Sequence, residues 1–379
     1  LKPLILGLGR AGCRIASMFF AKGNFTGVLL DTDRSELHHH RHKYLLLLGE
    51  ALLDGNGLGK NLGLGREVIE GETHRIVERL DSIGKGVDCY LVISGLGGGT
   101  GGAAGVLLKE LKRSYTEPVY YAGVLPSRED HPAAMSNFGE SFKEAWMNCD
   151  ALFPIDNDSL KGKQRLRGAY AGINERIYEC FSTLFEIGEY GYRRGNDGSV
   201  LSTRDVINTL SGLSALGLAA SDPRTLTMIE SGETGIDKPE VVVSLTKKAV
   251  DSLLLSGGIE GSQKALVVVV GPKKYLDFLG SIPARLWVEK NISGIEVRGG
   301  DLLLHRRPSL EVMVLVSEMK KSMRIQQLYQ IGKTQLDKDA FAGRLASTFE
   351  RLDSLKKKVR EVEEEFRDFY DALKGLKEK

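Results

Sequence analysis

Short apolar runs alternate with helical patterns through the first half of the chain, and two of these runs end directly in glycine-rich segments. Glycine is in excess overall, 45 of 379 residues, against an average of roughly 7%. These observations predict an α/β fold: a Rossmann-like, mostly parallel sheet with glycine loops at its strand ends, and a smaller α/β domain beside it. At about 150 residues per domain, the length suits two domains with an appendage.

The elements follow in order. Residues 3–6 form a strand that runs into Gly7-Leu8-Gly9-Arg10-Ala11-Gly12, and residues 13–22 are helix-compatible. A second strand, 27–30, leads into Asp31-Thr32-Asp33. The run DCYLVIS (88–94) is a buried-strand candidate and opens into Gly95-Leu96-Gly97-Gly98-Gly99-Thr100-Gly101-Gly102. Residues 106–113 read as helix, and 119–124 and 151–155 as strands. From 167 to about 189, Tyr170, Ile173, Ile177, Phe181 and Leu184 recur at three- and four-residue steps, the mark of a long helix buried along one face. A glycine-rich stretch, 188–199, breaks it.

Further on, 239–255 is helical, 265–270 and 310–317 are strands, and 285–298 is expected to contain another strand. From Leu345, two apolar rows at seven-residue steps give an a/d seam with charged flanks. This predicts a helical tail, packed back on its own domain or paired in a coiled coil. The expected domains are 1–187 (nucleotide domain with the long helix), 188–211 (loop and linker), 212–330 (second α/β domain) and 331–379 (tail).

Composition excludes several classes. Hydrophobic residues at 42% and charged residues at 27% describe a chain that buries a real core, not a disordered or collagen-like one. Basic and acidic residues nearly cancel, 52 against 50, so no bulk charge argues for nucleic acid or an anionic membrane. Four separated cysteines (Cys13, Cys89, Cys149, Cys180) form no CxxC pair and fit buried thiols in a reducing compartment. No apolar run approaches the roughly 20 residues of a membrane span, and the start of the chain, Leu1 rather than Met, carries no signal-peptide core. A cytoplasmic protein without direct membrane insertion is expected.

Two segments carry the chemistry. The first, GxGxxG between strand and helix, lets backbone amides approach a phosphate at a helix N-terminus. With Asp31 about 20 residues on, it also fits a nicotinamide-dinucleotide fingerprint. The second, Gly97-Gly98-Gly99-Thr100-Gly101, adds another set of amides and a hydroxyl, and two such loops in one sheet suit a polyphosphate held along its length. No GxxxxGK[ST] occurs. His38, His39, His40 and His42 cluster without a supporting carboxylate or thiol pattern, so they read as a solvated loop and no metal site is expected.

The ordered set of motifs resembles the tubulin/FtsZ superfamily of GTP-dependent filament formers. It lies nearer the archaeal tubulin-like CetZ group than bacterial FtsZ. Beyond the two glycine loops and the Thr-Asp turn, the matching residues are Tyr115-Thr116-Glu117-Pro118-Val119-Tyr120, Gly123-Val124-Leu125-Pro126, Asp156-Asn157-Asp158, Ile173-Asn174-Glu175, Asp205-Val206-Ile207-Asn208-Thr209-Leu210 and Arg298-Gly299-Gly300-Asp301.

The resemblance implies GTP and GDP as ligands, accompanied by Mg2+, and a GTPase domain. Gly9, Arg10, Ala11, Gly12, Cys13 and Arg14 would wrap the phosphates, and Gly98, Gly99, Thr100 and Gly101 would cradle them. Asp130 would contact the ribose. Asn157 and Asn174 would hydrogen-bond guanine, and Tyr170, on the Asn174 face of its helix, would stack on the base unless it is core packing. Asp205 of the next subunit would position the attacking water, unless it merely caps its helix. Self-association would run head to tail into filaments, with cell-shape control the implied role.

Departures from the pattern include Val200 and Ser202, where FtsZ usually has Asn and an acid, and Gly102, where a hydroxyl residue is usual. Cys13 and Arg14 are bulkier or more charged than usual. Ser202 and Gly102 leave open a GTP-binding homologue with little turnover, beside the alternative of an NAD-dependent oxidoreductase.

Overall fold

All six residues of Pro3–Leu8 are buried, the pattern of a strand covered on both faces. The computed structural model describes residues 1–84, 86–162, 166–194, 201–231, 238–304 and 309–338, together with 354 and 357. In it this strand, β1, lies within a parallel sheet with β2 (Thr26–Asp31), β3 (Leu45–Leu47), β4 (Cys89–Gly95), β5 (Val119–Val124), β6 (Ala151–Ile155) and β7 (Gly212–Leu213). Among the described residues the order is β3-β2-β1-β4-β5-β6-β7, every neighbouring pair parallel.

The winding reverses between β1 and β4. Connections leaving these two strands go to opposite sides, which opens a crevice at the carboxyl edge of the sheet. Both glycine loops lie there. Because all the strands are parallel, the loops after β2, β5 and β6 emerge on the same edge.

A second, smaller sheet contains β8 (Ala215–Ala220), β9 (Lys264–Gly271), β10 (Glu296–Leu303) and β11 (Glu311–Ser317), in the order β10-β9-β11-β8. β10 and β9 are parallel; β11 is antiparallel to β9 and β8. The long helix Leu166–Arg194 joins the two sheets. Its Ile173, Ile177, Phe181 and Leu184 share one apolar cluster with Ile5 and Phe153 of the first sheet and Leu216 and Met313 of the second. Main-chain bonds reinforce the junction: Ser214 N to Leu152 O at 2.9 Å and Asp156 N to Leu254 O at 2.8 Å.

Several boundaries differ from expectation. The long helix continues past Gly188 to Arg194; a helical glycine costs only about 1 kcal/mol against alanine, too little to end a long helix by itself. The stretch 285–298, expected to contain a strand, holds the end of helix Ile282–Glu289 and then the start of β10 at Glu296. The helix expected over 239–255 is Lys238–Asp251, after which Leu253, Leu254 and Leu255 are buried outside it. A helix over 323–338 runs through the expected boundary at 330. It returns to the first domain, where a Cβ on Gly332 would lie 2.4 Å from the Met135 carbonyl of helix Pro132–Met147. The heptad rows beyond it lie outside the described residues.

Candidate nucleotide site

Helix Gly9–Lys22 starts directly on β1, with Leu8 as N-cap and no side chain capping it. The amides of Gly9, Arg10 and Ala11 precede the first intrahelical bond, so they and the helix dipole are available to an anion. Gly9 adopts a φ of +68°, and a Cβ there would stand 3.0 Å from the Gly101 amide nitrogen. A Cβ on Gly12 would come within 2.0 Å of the Ile93 carbonyl oxygen. Glycine at these positions therefore seats the helix on β4 and brings the first loop against the second.

The second loop runs from Gly95 through a short 3-10 turn, Gly101–Ala103, into helix Ala104–Ser114. Gly98 has room for a methyl: a Cβ there would meet the Gly101 amide nitrogen and the Gly95 carbonyl oxygen no closer than 3.9 Å. The loop around it is walled and tied. Asn137 Nδ2 donates to the Gly97 and Lys60 carbonyls at 3.3 and 2.9 Å, and Ser94 Oγ donates to the Gly101 carbonyl at 2.7 Å. The Thr100 hydroxyl, expected to face a phosphate, shares a buried 2.7 Å hydrogen bond with the Thr32 hydroxyl. The loops after β1, β2 and β4 thus meet at one place.

Charge around this cradle is concentrated on Glu36. Its nearly buried carboxylate accepts from Arg10 Nε at 3.0 Å, Arg14 Nε at 2.7 Å and Arg14 Nη2 at 3.1 Å. Both arginine side chains are more than half exposed, so a phosphate would compete with Glu36 for their free donors. Asp31 is buried, and burial pushes its carboxyl up to about 6, against the pull of the Thr32 and Asp33 amides. Its Oδ2 has no hydrogen-bond partner among the described residues.

The Cys13 side chain turns inward. Its thiol is fully buried and donates to the Gly7 and Leu30 carbonyls at 3.4 Å, and burial, followed by Asp31, pushes its pKa well up. It lies beyond the first helical turn, where amides are used inside the helix. The side chain therefore packs the helix onto the sheet and faces away from the cradle.

At the far end of the edge, Asp130 is exposed, and its Oδ2 accepts from the Ser127 amide at 2.8 Å. Asn157 opens the short helix Asn157–Leu160, capped by Asp156. It is buried. Asn174 and Tyr170 lie one turn apart on helix Leu166–Arg194. Asn174 is half-buried, whereas Tyr170 is 38% exposed, which rules out simple core packing.

Asp205 is elsewhere. It stands in helix Thr203–Thr209, shortly before β7. Gly212, the first residue of β7, pairs with Ala151, the first residue of β6, so this helix lies at the amino edge of the sheet. The glycine loops are at the carboxyl edge. One subunit does not bring Asp205 to its own crevice. There the carboxylate completes a capping box with Ser202 and pairs with Arg298.

Residues 3–164 match the GTPase domain of the tubulin/FtsZ family, and 163–334 match the C-terminal domain of tubulin-like CetZ proteins. CetZ1 of Haloferax volcanii is 32% identical over 87% of this chain and 91% of its own length. The chain belongs to the CetZ family of tubulin-like proteins. CetZ3 of the same organism is 31% identical, over 89% and 93%. Among solved structures, the GDP-bound CetZ1 monomer superposes with a TM-score of 0.76 at 31% identity, covering 88% of this chain and 99% of that one. The GTPγS-bound CetZ2 protofilament gives 0.78 at 29%, over 90% and 100%.

In this CetZ-family chain the GGGTG loop is accounted for without a nicotinamide reading. Among the described residues no three His, Cys, Asp or Glu side chains converge on a metal position. His42 does not fit a solvated loop: its ring stacks on Phe20 with centroids 4.0 Å apart, and Nε2 lies 2.9 Å from the Gly27 carbonyl oxygen. Among the described residues no helix is long and apolar enough to cross a membrane. The sequence reading missed Glu36, Thr32 as the partner of Thr100, and Arg324. The first two adjoin recognised motifs; Arg324 had no local signal.

Proposed function

We propose that this chain binds GTP in the crevice between the β1 and β4 loops, assembles head to tail into cytoplasmic filaments, and hydrolyses GTP where two subunits meet. The amides of Gly9, Arg10 and Ala11 and the loop Gly98–Gly101 hold the phosphates, joined by Arg10 and Arg14 as they turn from Glu36. Asp130 takes the ribose. Asn157 and Asn174 read guanine, and the exposed Tyr170 ring covers the base. A Mg2+ ion accompanying the nucleotide would neutralise charge on the phosphates held by these loops.

One observation carries the reading: Asp205 and the glycine crevice lie on opposite edges of the same sheet. A reaction that needs both requires a second copy, placed head to tail. Such a contact is heterologous and propagates as an open filament. Ionised Asp205 then positions and polarises water at the neighbour's terminal phosphate, while amides stabilise the charge that develops there. The relatives support it, one known as a GTPγS-bound protofilament and another as a GDP-bound monomer. By the same likeness, the filament serves cell-shape control.

A second reading, nucleotide binding with little turnover, is favoured by the engagement of Asp205 with Ser202 and Arg298. Phosphate release measured over a protein concentration series separates the two. Specific activity that rises with concentration, together with pelleting in GTPγS, is the expected result. Flat activity near background supports the second reading, and no guanine-nucleotide binding at all overturns both.

A further inference from the structure

We propose that Arg324 is a positioning residue for the nucleoside half of the site; the inference rests on the guanine-nucleotide reading above. Arg324 begins the helix over 323–338, in a part of the sequence far from every residue it contacts. Its side chain is only 6% exposed. Nε donates to Asp156 Oδ1 at 3.1 Å, and Nη2 donates to Asp158 Oδ2 at 2.6 Å and to the Pro126 carbonyl at 3.3 Å.

These acceptors flank the two residues assigned to the nucleoside. Asp156 and Asp158 stand on either side of Asn157, and Pro126 starts the loop that ends at Asp130. Asp158 carries the connection further: Oδ1 accepts from Ser127 Oγ at 2.5 Å and Oδ2 from the Arg128 amide at 3.0 Å. Asp156 Oδ2 accepts from Ser256 Oγ at 3.0 Å, and Oδ1 also accepts from the Asp158 amide at 3.2 Å. One guanidinium thus clamps the loop after β5 to the turn after β6. Lys161 is the other cation on this cluster, 3.4 Å from Asp158 Oδ1, and it also pairs with Glu129.

Without Arg324, the buried Asp156 carboxylate would lose its ion pair and Asp158 would keep only the more distant contact with Lys161. Breaking a buried ion pair on one side is strongly destabilising because it strands the remaining charge, and here the stranded charges bracket the base-reading amide. Burial works to raise the Asp158 carboxyl, but the bonds from Ser127 and Arg128, with Arg324, hold it below the usual range. None of these bonds reaches the glycine loops, so the effect is confined to base and ribose.

The test compares GDP, IDP (which lacks the guanine 2-amino group) and GTPγS on the full-length wild type and Arg324→Met. The expected result is a loss of GDP affinity of about tenfold or more, equivalent to at least 1.4 kcal/mol. IDP should lose much less, so that the preference for guanine collapses, while the GTPγS-to-GDP ratio stays unchanged. Arg324→Lys, which restores the charge without the fork, should recover part of that preference. A uniform loss for all three nucleotides, or no loss, overturns the positioning role. Should Arg324→Met not fold, Asp158→Asn takes its place, with the same readout and the same deciding ratio. If the wild type binds no guanine nucleotide, the underlying reading fails first, and that is seen before any variant is made.

Discussion

Arg298 Nη1 donates to Asp205 Oδ1, joining β10 to the helix at the amino edge of the first sheet. The other carboxylate oxygen, Oδ2, accepts from the Ser202 amide at 2.9 Å and from its hydroxyl at 2.6 Å. Partial burial works to raise the Asp205 carboxyl, but the Ser202 bonds and the Arg298 charge outweigh it and hold it below the usual carboxylate range. The acid proposed to act on the neighbour's water is therefore ionised and held in place before any neighbour arrives.

Removing the guanidinium should show in the pH profile. A folded pKa that Arg298 holds down rises when Arg298 becomes Met, so the ionised form is lost at a higher pH as acid is added. The acidic limb of phosphate release should move to higher pH in Arg298→Met, with nucleotide affinity unchanged. An acidic limb that stays in place would detach this ion pair from turnover.

Asp205→Asn tests the acid itself. Asparagine keeps an acceptor for Ser202, so the capping box is retained, whereas alanine would forfeit the reciprocal bond from the N3 side chain to the Ser202 amide. General-base assistance contributes about 10²–10⁴-fold, and turnover should fall within that range. GTPγS binding and pelleting should persist. Wild-type turnover in this variant would contradict the role.

The second glycine loop separates folding from binding at adjacent positions. An alanine methyl at Gly98 meets nothing nearer than 3.9 Å, whereas one at Gly99 lies 3.0 Å from both the Asn61 carbonyl oxygen and Leu58 Cβ. Gly98→Ala should keep the melting temperature and lose GTP affinity, because its methyl enters space assigned to phosphate. Gly99→Ala should lower the melting temperature of the nucleotide-free protein. The reverse pattern would mean that the loop faces away from its ligand.

Much of this was legible in the sequence because short-range rules govern it. Apolar runs ending in glycine revealed β1 and β4, and three- and four-residue spacing revealed the long helix. Helix Leu62–Ile83 went unread: Val68, Ile69, Ile76 and Leu80 repeat at helical steps, but the glycines among them obscure the pattern. Contacts set by tertiary packing were not legible. Nothing near Arg324 announces Asp156, and nothing near Thr100 announces Thr32. The inward turn of Cys13 depends on where the helix begins, which is Gly9 and not Cys13.

Thr100 and Thr32 give a stability prediction. Thr100→Val preserves shape but leaves the Thr32 hydroxyl buried without its partner, a loss of about 1–3 kcal/mol. Replacing both threonines by valine removes donor and acceptor together and should recover most of it. Urea unfolding of the two singles and the double measures the coupling. Additive losses would show that the 2.7 Å bond contributes nothing.

Asp31 makes stability depend on pH in a direction opposite to that of a salt-bridged acid. Its folded pKa, raised by burial to about 6, lies above the ordinary 3.8. Between these values the unfolded chain has released a proton that the folded chain still holds, so raising the pH draws the protein toward unfolding. The penalty is absent below about 3.8 and complete above about 6. Asp31→Asn cannot ionise and keeps an oxygen for the Thr32 and Asp33 amides, now bound at 2.7 and 3.3 Å. Its new amide nitrogen falls where Oδ2 is buried without a partner, which offsets part of the gain. Without nucleotide, the variant should be more stable than wild type at neutral pH by on the order of 1–2 kcal/mol, given 1.36 kcal/mol per pKa unit. Near pH 4 the advantage should vanish or reverse. A gain that is the same at both pH values would show that ionisation of Asp31 is not its source.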